Sequence, residues 1–136
     1  MRVNVYCEDV SENVHTSLIK EVVEFANNNL DIHEEDFEIE IFLDDISDGV
    51  NGMIIDDIPN KKFTMLVQND RHISQILMTI VHELVHVKQY IRDGLAEVSD
   101  SLFRSIPYLE RWWEVEAFEK TSEIVGNYVK HLEKKG

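Results

Sequence analysis

From residue 71 to residue 92 the chain contains neither Pro nor Gly, and its apolar residues recur at intervals of three and four. That spacing predicts one long α-helix, closed at Gly94. The apolar set of Ile73, Ile76, Leu77, Ile80, Val81, Leu84, Val85 and Ile91 covers an arc too wide for an ordinary surface helix. A polar seam of His72, Gln75, Thr79, His82, Glu83, His86 and Tyr90 runs through it. Each unpaired polar group in a buried helix costs about 1–3 kcal/mol, so a narrow seam in so apolar a helix needs a physical reason.

His82-Glu83-Leu84-Val85-His86 supplies one. On a helix, residues i and i+4 share a face, so two imidazoles can converge on one Zn²⁺. The Glu between them can act as general base on a water that the metal polarises. A catalytic zinc needs a third protein ligand and an open position. The C-terminal region offers Glu110, Glu114, Glu116, Glu119 and Glu123. Helical phase separates them. The apolar face of Ala117, Phe118, Val125, Tyr128, Val129 and Leu132 is centred near the direction of Glu114. Glu116 points away, beside Glu119, Lys120 and Glu123, and stays open as the alternative ligand. The expected metal set is therefore His82, His86 and Glu114, with Glu83 catalytic.

Around this helix the pattern is mixed. Val3, Val5 and Cys7 alternate as in a strand, and Ser11 reads as the N-cap of a helix carrying Leu18, Ile19, Val22 and Val23. Further strands are expected over Phe37–Leu43, Met53–Ile55 and Phe63–Val67, with a turn at Pro59-Asn60. A last helix is expected from Leu109 or Arg111 to Lys134. This order predicts one α+β domain over residues 1–136. Its expected core is a small, twisted, mostly antiparallel sheet of three or four strands backed by helices.

Charge and cysteine content exclude some functions. The chain carries 27 acidic against 13 basic residues, a net charge of −14. The excess is local: residues 31–60 hold eleven acids and no Lys or Arg, whereas residues 61–136 balance to zero. So anionic a surface argues against direct nucleic-acid binding and against anionic membranes. No stretch approaches about 18 uninterrupted apolar residues, and the N-terminus lacks a signal-peptide pattern. A lone cysteine, Cys7, suits a reducing, cytoplasmic setting. Asp44, Asp48 and Gly49 fall in a turn that fails the calcium-loop pattern, because Ile46 and Ile55 stand where oxygen ligands belong. His15, His33 and His131 show no ligand spacing.

His82-Glu83-Leu84-Val85-His86, followed by Glu114-Val115-Glu116-Ala117, resembles the gluzincin metallopeptidases. The compact size is similar to the ImmA/IrrE-type peptidases and to small phage-encoded peptidases, and the likeness spans roughly residues 75–125. It implies a minimal zincin-like fold and zinc-dependent endopeptidase activity on a protein or peptide substrate. It also implies an edge strand that pairs with extended substrate, placed here at Phe63–Val67. An oxyanion-stabilising Tyr or His is common in such enzymes, and Tyr90, Tyr108 and His72 are available. The related pattern often has Asp or Asn where this chain has Phe118. Support for a ligand His is therefore expected from Thr121 or the 95–110 loop. The competing reading is a zincin-fold binding module whose acidic 31–60 segment docks a basic protein. An intact Glu83 favours the enzyme.

Overall fold

The computed structural model describes residues 1–7, 13–46, 49–95 and 104–135. In chain order these form β1 (Arg2–Cys7), α1 (Asn13–Asn29), β2 (Glu38–Asp44), β3 (Gly52–Asp57), β4 (Lys62–Gln68), α2 (Ile73–Arg92) and α3 (Trp112–Lys135). Short 3-10 turns lie at Ile58–Asn60 and Tyr108–Glu110. Ser11 and Asp48 lie outside the described residues, as does the side chain of Cys7.

The strands make one mixed sheet in the order β1-β2-β4-β3. β1 pairs with β2, and β2 with β4, in parallel; only β3 and β4 are antiparallel. The expectation of a mostly antiparallel sheet is corrected here, and the connections give the reason. Helix α1 carries the chain back along the sheet, so β2 enters in the same direction as β1. The excursion through β3 then reverses the chain once more before β4. Strand β4 sits between β2 and β3, so Phe63–Val67 is paired on both sides. The edge strand nearest α2 is β3.

Alternation sorts the sheet into two faces. Ile39, Ile41 and Leu43 of β2 and Phe63, Met65 and Val67 of β4 point to one side and are buried. Against them pack Ile19, Val23 and Ala26 of α1 and Ile76, Ile80 and Leu84 of α2, in a single core cluster. The opposite face carries Tyr6 stacked on Phe42 at 4.8 Å between ring centroids. Glu38 and Glu40 lie there too, half-buried; Glu40 pairs with Lys62 at 2.8 Å, and Glu38 accepts from Asn4 at 3.1 Å.

Helix α2 begins where His72 caps it, its ring accepting from the Ser74 N–H at 3.2 Å. It ends where the chain turns at Gly94, whose φ of +74° is open to glycine and strained for most other residues. Helix α3 covers the flank of α2 that the sheet leaves bare, burying Trp113, Ala117, Thr121, Ile124 and Tyr128. Among the described residues, no helix is long and apolar enough to cross a membrane.

Candidate metal centre

The polar seam of α2 meets the first turn of α3. His82 and His86, one turn apart, bring their rings to 4.9 Å between centroids at an angle of 82°. Glu114 Oε1 lies 3.1 Å from His82 Nε2 and 3.0 Å from His86 Nε2. One ligand atom from each residue falls within 4.8 Å of the others, an arrangement that can hold a metal ion. Two imidazole nitrogens and one carboxylate oxygen are donors that suit a divalent transition metal with a coordination position left open.

Electrostatics favour a cation at this point. Burial alone would raise the Glu114 carboxyl, but hydrogen bonds and charge from His82 and His86 hold it at about 2. Burial works against a charged His86, yet Glu114, Glu83 and Gln89 outweigh it and raise the ring above its ordinary value. Glu83 is buried beside the imidazoles, and loss of solvent raises its carboxyl although both His residues oppose the shift. A carboxyl raised by burial is better poised to take up and release a proton near neutrality.

Glu116 does not join the imidazoles. Its carboxylate turns to the seam between α2 and α3, where it accepts from Lys88 at 3.0 Å and from Gln89 at 2.9 Å. Support for His86 comes from Gln89, whose Oε1 lies 2.7 Å from His86 Nδ1. The expectation that Thr121 would fill this role is corrected: its hydroxyl bonds back to Ala117 O within α3 at 2.6 Å. Within the 95–110 loop, residues 96–103 lie outside the described residues. Phe118 meets the His82 ring edge-on at 5.0 Å. Gln89 was legible in principle as a polar side chain one turn beyond His86 on the same helix.

Two hollows flank the site. One of about 580 Å³ lies between β3 and α3 and is lined by Asn51, Gly52, Thr79, His82, Glu83 and Phe118, among others. A second of about 260 Å³ continues past Glu83 towards Ile54, Tyr90 and Trp113. Gly52 and Tyr108 line both. Tyr108 is half-exposed, and burial, then the charge and hydrogen bonding of Glu114, push its hydroxyl up to about 12. His72 is occupied in capping α2, ten residues before His82 and therefore about 15 Å along the axis. The ring of Tyr90 packs on Phe63 at 5.9 Å. Of the three aromatic candidates, Tyr108 alone lines both hollows and is shifted by the charge of Glu114.

The acidic segment divides. Asp31 and Glu35 sit at the far end of α2, gripped by Arg92, which donates to Asp31 O at 2.6 Å and to Glu35 at 2.8 Å. Asp56 and Asp57 lie on β3, beyond the Gly52–Ile54 stretch that lines the second hollow. His131 packs on Phe25 at 5.3 Å, and His33 lies beside Glu34 at 3.8 Å, both away from the centre. The side chain of His15 lies outside the described residues. No protein-family model, curated protein or solved structure matches this chain.

Proposed function

We propose that the chain is a zinc-dependent endopeptidase of the minimal zincin type. The observation that carries this reading is the convergence of His82, His86 and Glu114 with Glu83 buried beside them at the floor of a two-sided groove. Two imidazoles and one carboxylate form the donor set of open catalytic zinc sites. A zinc ion held there supplies Lewis-acid polarisation of a carbonyl and of a water.

The chain's own groups do the rest. Glu83 takes a proton from the attacking water and delivers it to the departing amine. Tyr108, kept protonated by its surroundings, offers a hydroxyl to the developing oxyanion. Strand β3 lies at the end of the sheet with its outer backbone edge beside the hollows, which suits pairing with an extended substrate. Hollows on both sides of Glu83 leave room for chain on both sides of a scissile bond, which favours an endopeptidase over an exopeptidase.

The test is degradation of a denatured protein mixture by zinc-loaded protein, with and without chelator. Glu83→Gln is expected to keep its metal and to lose about 10²–10⁴-fold of chelator-sensitive cleavage. Cleavage that survives either the chelator or the substitution overturns the reading.

A further inference from the structure

Gln89 is wholly buried, one turn beyond His86 on α2. Three polar partners surround its amide. Oε1 lies 2.7 Å from His86 Nδ1, while Nε2 donates to Trp113 O at 2.9 Å and to Glu116 Oε1 at 2.9 Å. Those two acceptors decide which way the amide faces. Trp113 contributes a carbonyl and Glu116 a carboxylate; neither can donate, so both require the NH₂ end. The amide oxygen must then face His86, and an oxygen there needs a donor. Nδ1 of His86 therefore carries a hydrogen; in the neutral ring Nε2 is then the lone-pair nitrogen, open to a cation beside Glu114 Oε1, and in the protonated ring both nitrogens donate, Nδ1 to Gln89 and Nε2 to Glu114 at 3.0 Å.

Glu116 is itself held. Lys88 Nζ donates to both of its carboxylate oxygens at 3.0 Å and pairs with Asp93 at 2.7 Å. An amide that donates to a carboxylate is polarised, and its oxygen becomes a better acceptor. The bond from His86 Nδ1–H to Gln89 is thereby strengthened by a residue on another helix. Ligand histidines in general need a partner on the second nitrogen to fix tautomer and ring orientation. Here that partner comes from the same helix and is braced from α3.

We propose that Gln89 and Glu116 act as one positioning pair. It holds His86 in the Nδ1–H form, so that metal affinity depends on a Glu116 carboxylate that never touches the metal. The inference rests on His86 as a metal ligand, not on peptide hydrolysis.

Two measurements test it. The first needs no metal: ¹⁵N NMR of the His86 ring in a Glu114→Ala background, at a pH where the ring is neutral. The Nδ1–H tautomer is expected with Gln89 present, and the Nε2–H form preferred by a free histidine side chain once Gln89→Met is added. Predominant Nε2–H with Gln89 in place overturns the pair. The second is Zn²⁺ and Co²⁺ affinity by competition. Gln89→Met and Glu116→Met are each expected to bind about 10–100-fold more weakly, and the double variant no more weakly than the worse single. The exchange Gln89→Glu/Glu116→Gln should recover part of the loss: it restores an acceptor for His86 Nδ1–H and a donor–acceptor contact between positions 89 and 116, but leaves Trp113 O without its donor. Singles with unaltered affinity, or losses that add, overturn the pair. Failure of the unaltered chain to take up metal, with the tautomer as stated, sinks the metal reading and with it the dependence of affinity on Glu116, while control of the His86 tautomer by Gln89 stands.

Discussion

Gly52 of β3 lies so close to Thr79 of α2 that a Cβ at position 52 would come within 2.6 Å of the Thr79 Cγ2 methyl and 3.7 Å of Glu83 Cγ. The missing side chain lets the edge strand descend onto the helix that carries Glu83. Gly52→Ala is expected to cost about 1–3 kcal/mol through overpacking. Thr79→Ser deletes the opposing methyl and should recover part of that cost. Recovery will be incomplete, since Leu66 O would also lie 3.2 Å from the added carbon. Urea denaturation of the single and double variants checks this; additive losses would mean that the two residues do not collide.

Glu114 and Glu116 are separable by metal binding. Glu114→Ala removes an oxygen 3.0 Å from His86 Nε2, and its loss of Zn²⁺ affinity should exceed the roughly 100-fold upper range for outer partners. Glu116→Ala should stay within that range. Competition against a chromophoric chelator reads both, and the reverse order would make Glu116 the ligand.

Without a metal ion, stability should fall towards both ends of the pH scale. Glu114 sits at about 2 in the folded chain against 4.5 ordinarily. Its contribution is complete above pH 4.5 and is lost as pH falls through about 2. His86 is raised above 6.5, so its contribution is complete below 6.5 and is lost as pH rises through the folded value. Glu83, also raised, contributes most when protonated and loses that contribution as pH rises. Glu114→Gln should flatten the acid limb and weaken the basic one, because Glu114 and His86 share a single contact. Denaturation midpoints from pH 2 to 9 give the answer; an unchanged profile would contradict the pairing.

Asp56 follows Ile54 on the helix-facing side of β3, two residues beyond the stretch that lines the second hollow, whereas Asp57 alternates to the other face. Peptides with Lys or Arg opposite β3 should be cleaved faster than neutral ones. Asp56→Asn should reduce that preference by up to about five-fold, as should high salt. Rates on matched basic and neutral peptides provide the comparison, and a preference untouched by salt would place the acidic segment outside recognition.

Much of this was legible in one dimension, since burial on a helix or strand is periodic. The Ile39, Ile41, Leu43 alternation places three side chains in the core, and the 71–92 spacing describes a helix that spans Ile73–Arg92. The phase of α3 turned Glu114 inward, and it lies 8% exposed. Phase misplaced Glu116 in part, because a side chain at the margin of a helix face goes to whichever neighbour offers a partner. Lys88 and Gln89 on α2 offered one.

By itself, the sequence determined the helices, the alternating strands and the His82–Glu83–His86 spacing, because each depends on residues a few positions apart. Strand order, parallel pairing, the edge position of β3 and the joining of Glu114 to the imidazoles depend on contacts between distant segments. No local period encodes which segment lies beside which. Gln89 shows the division most clearly: its place on α2 follows from helical geometry, but its orientation was decided by Trp113 and Glu116 on another helix.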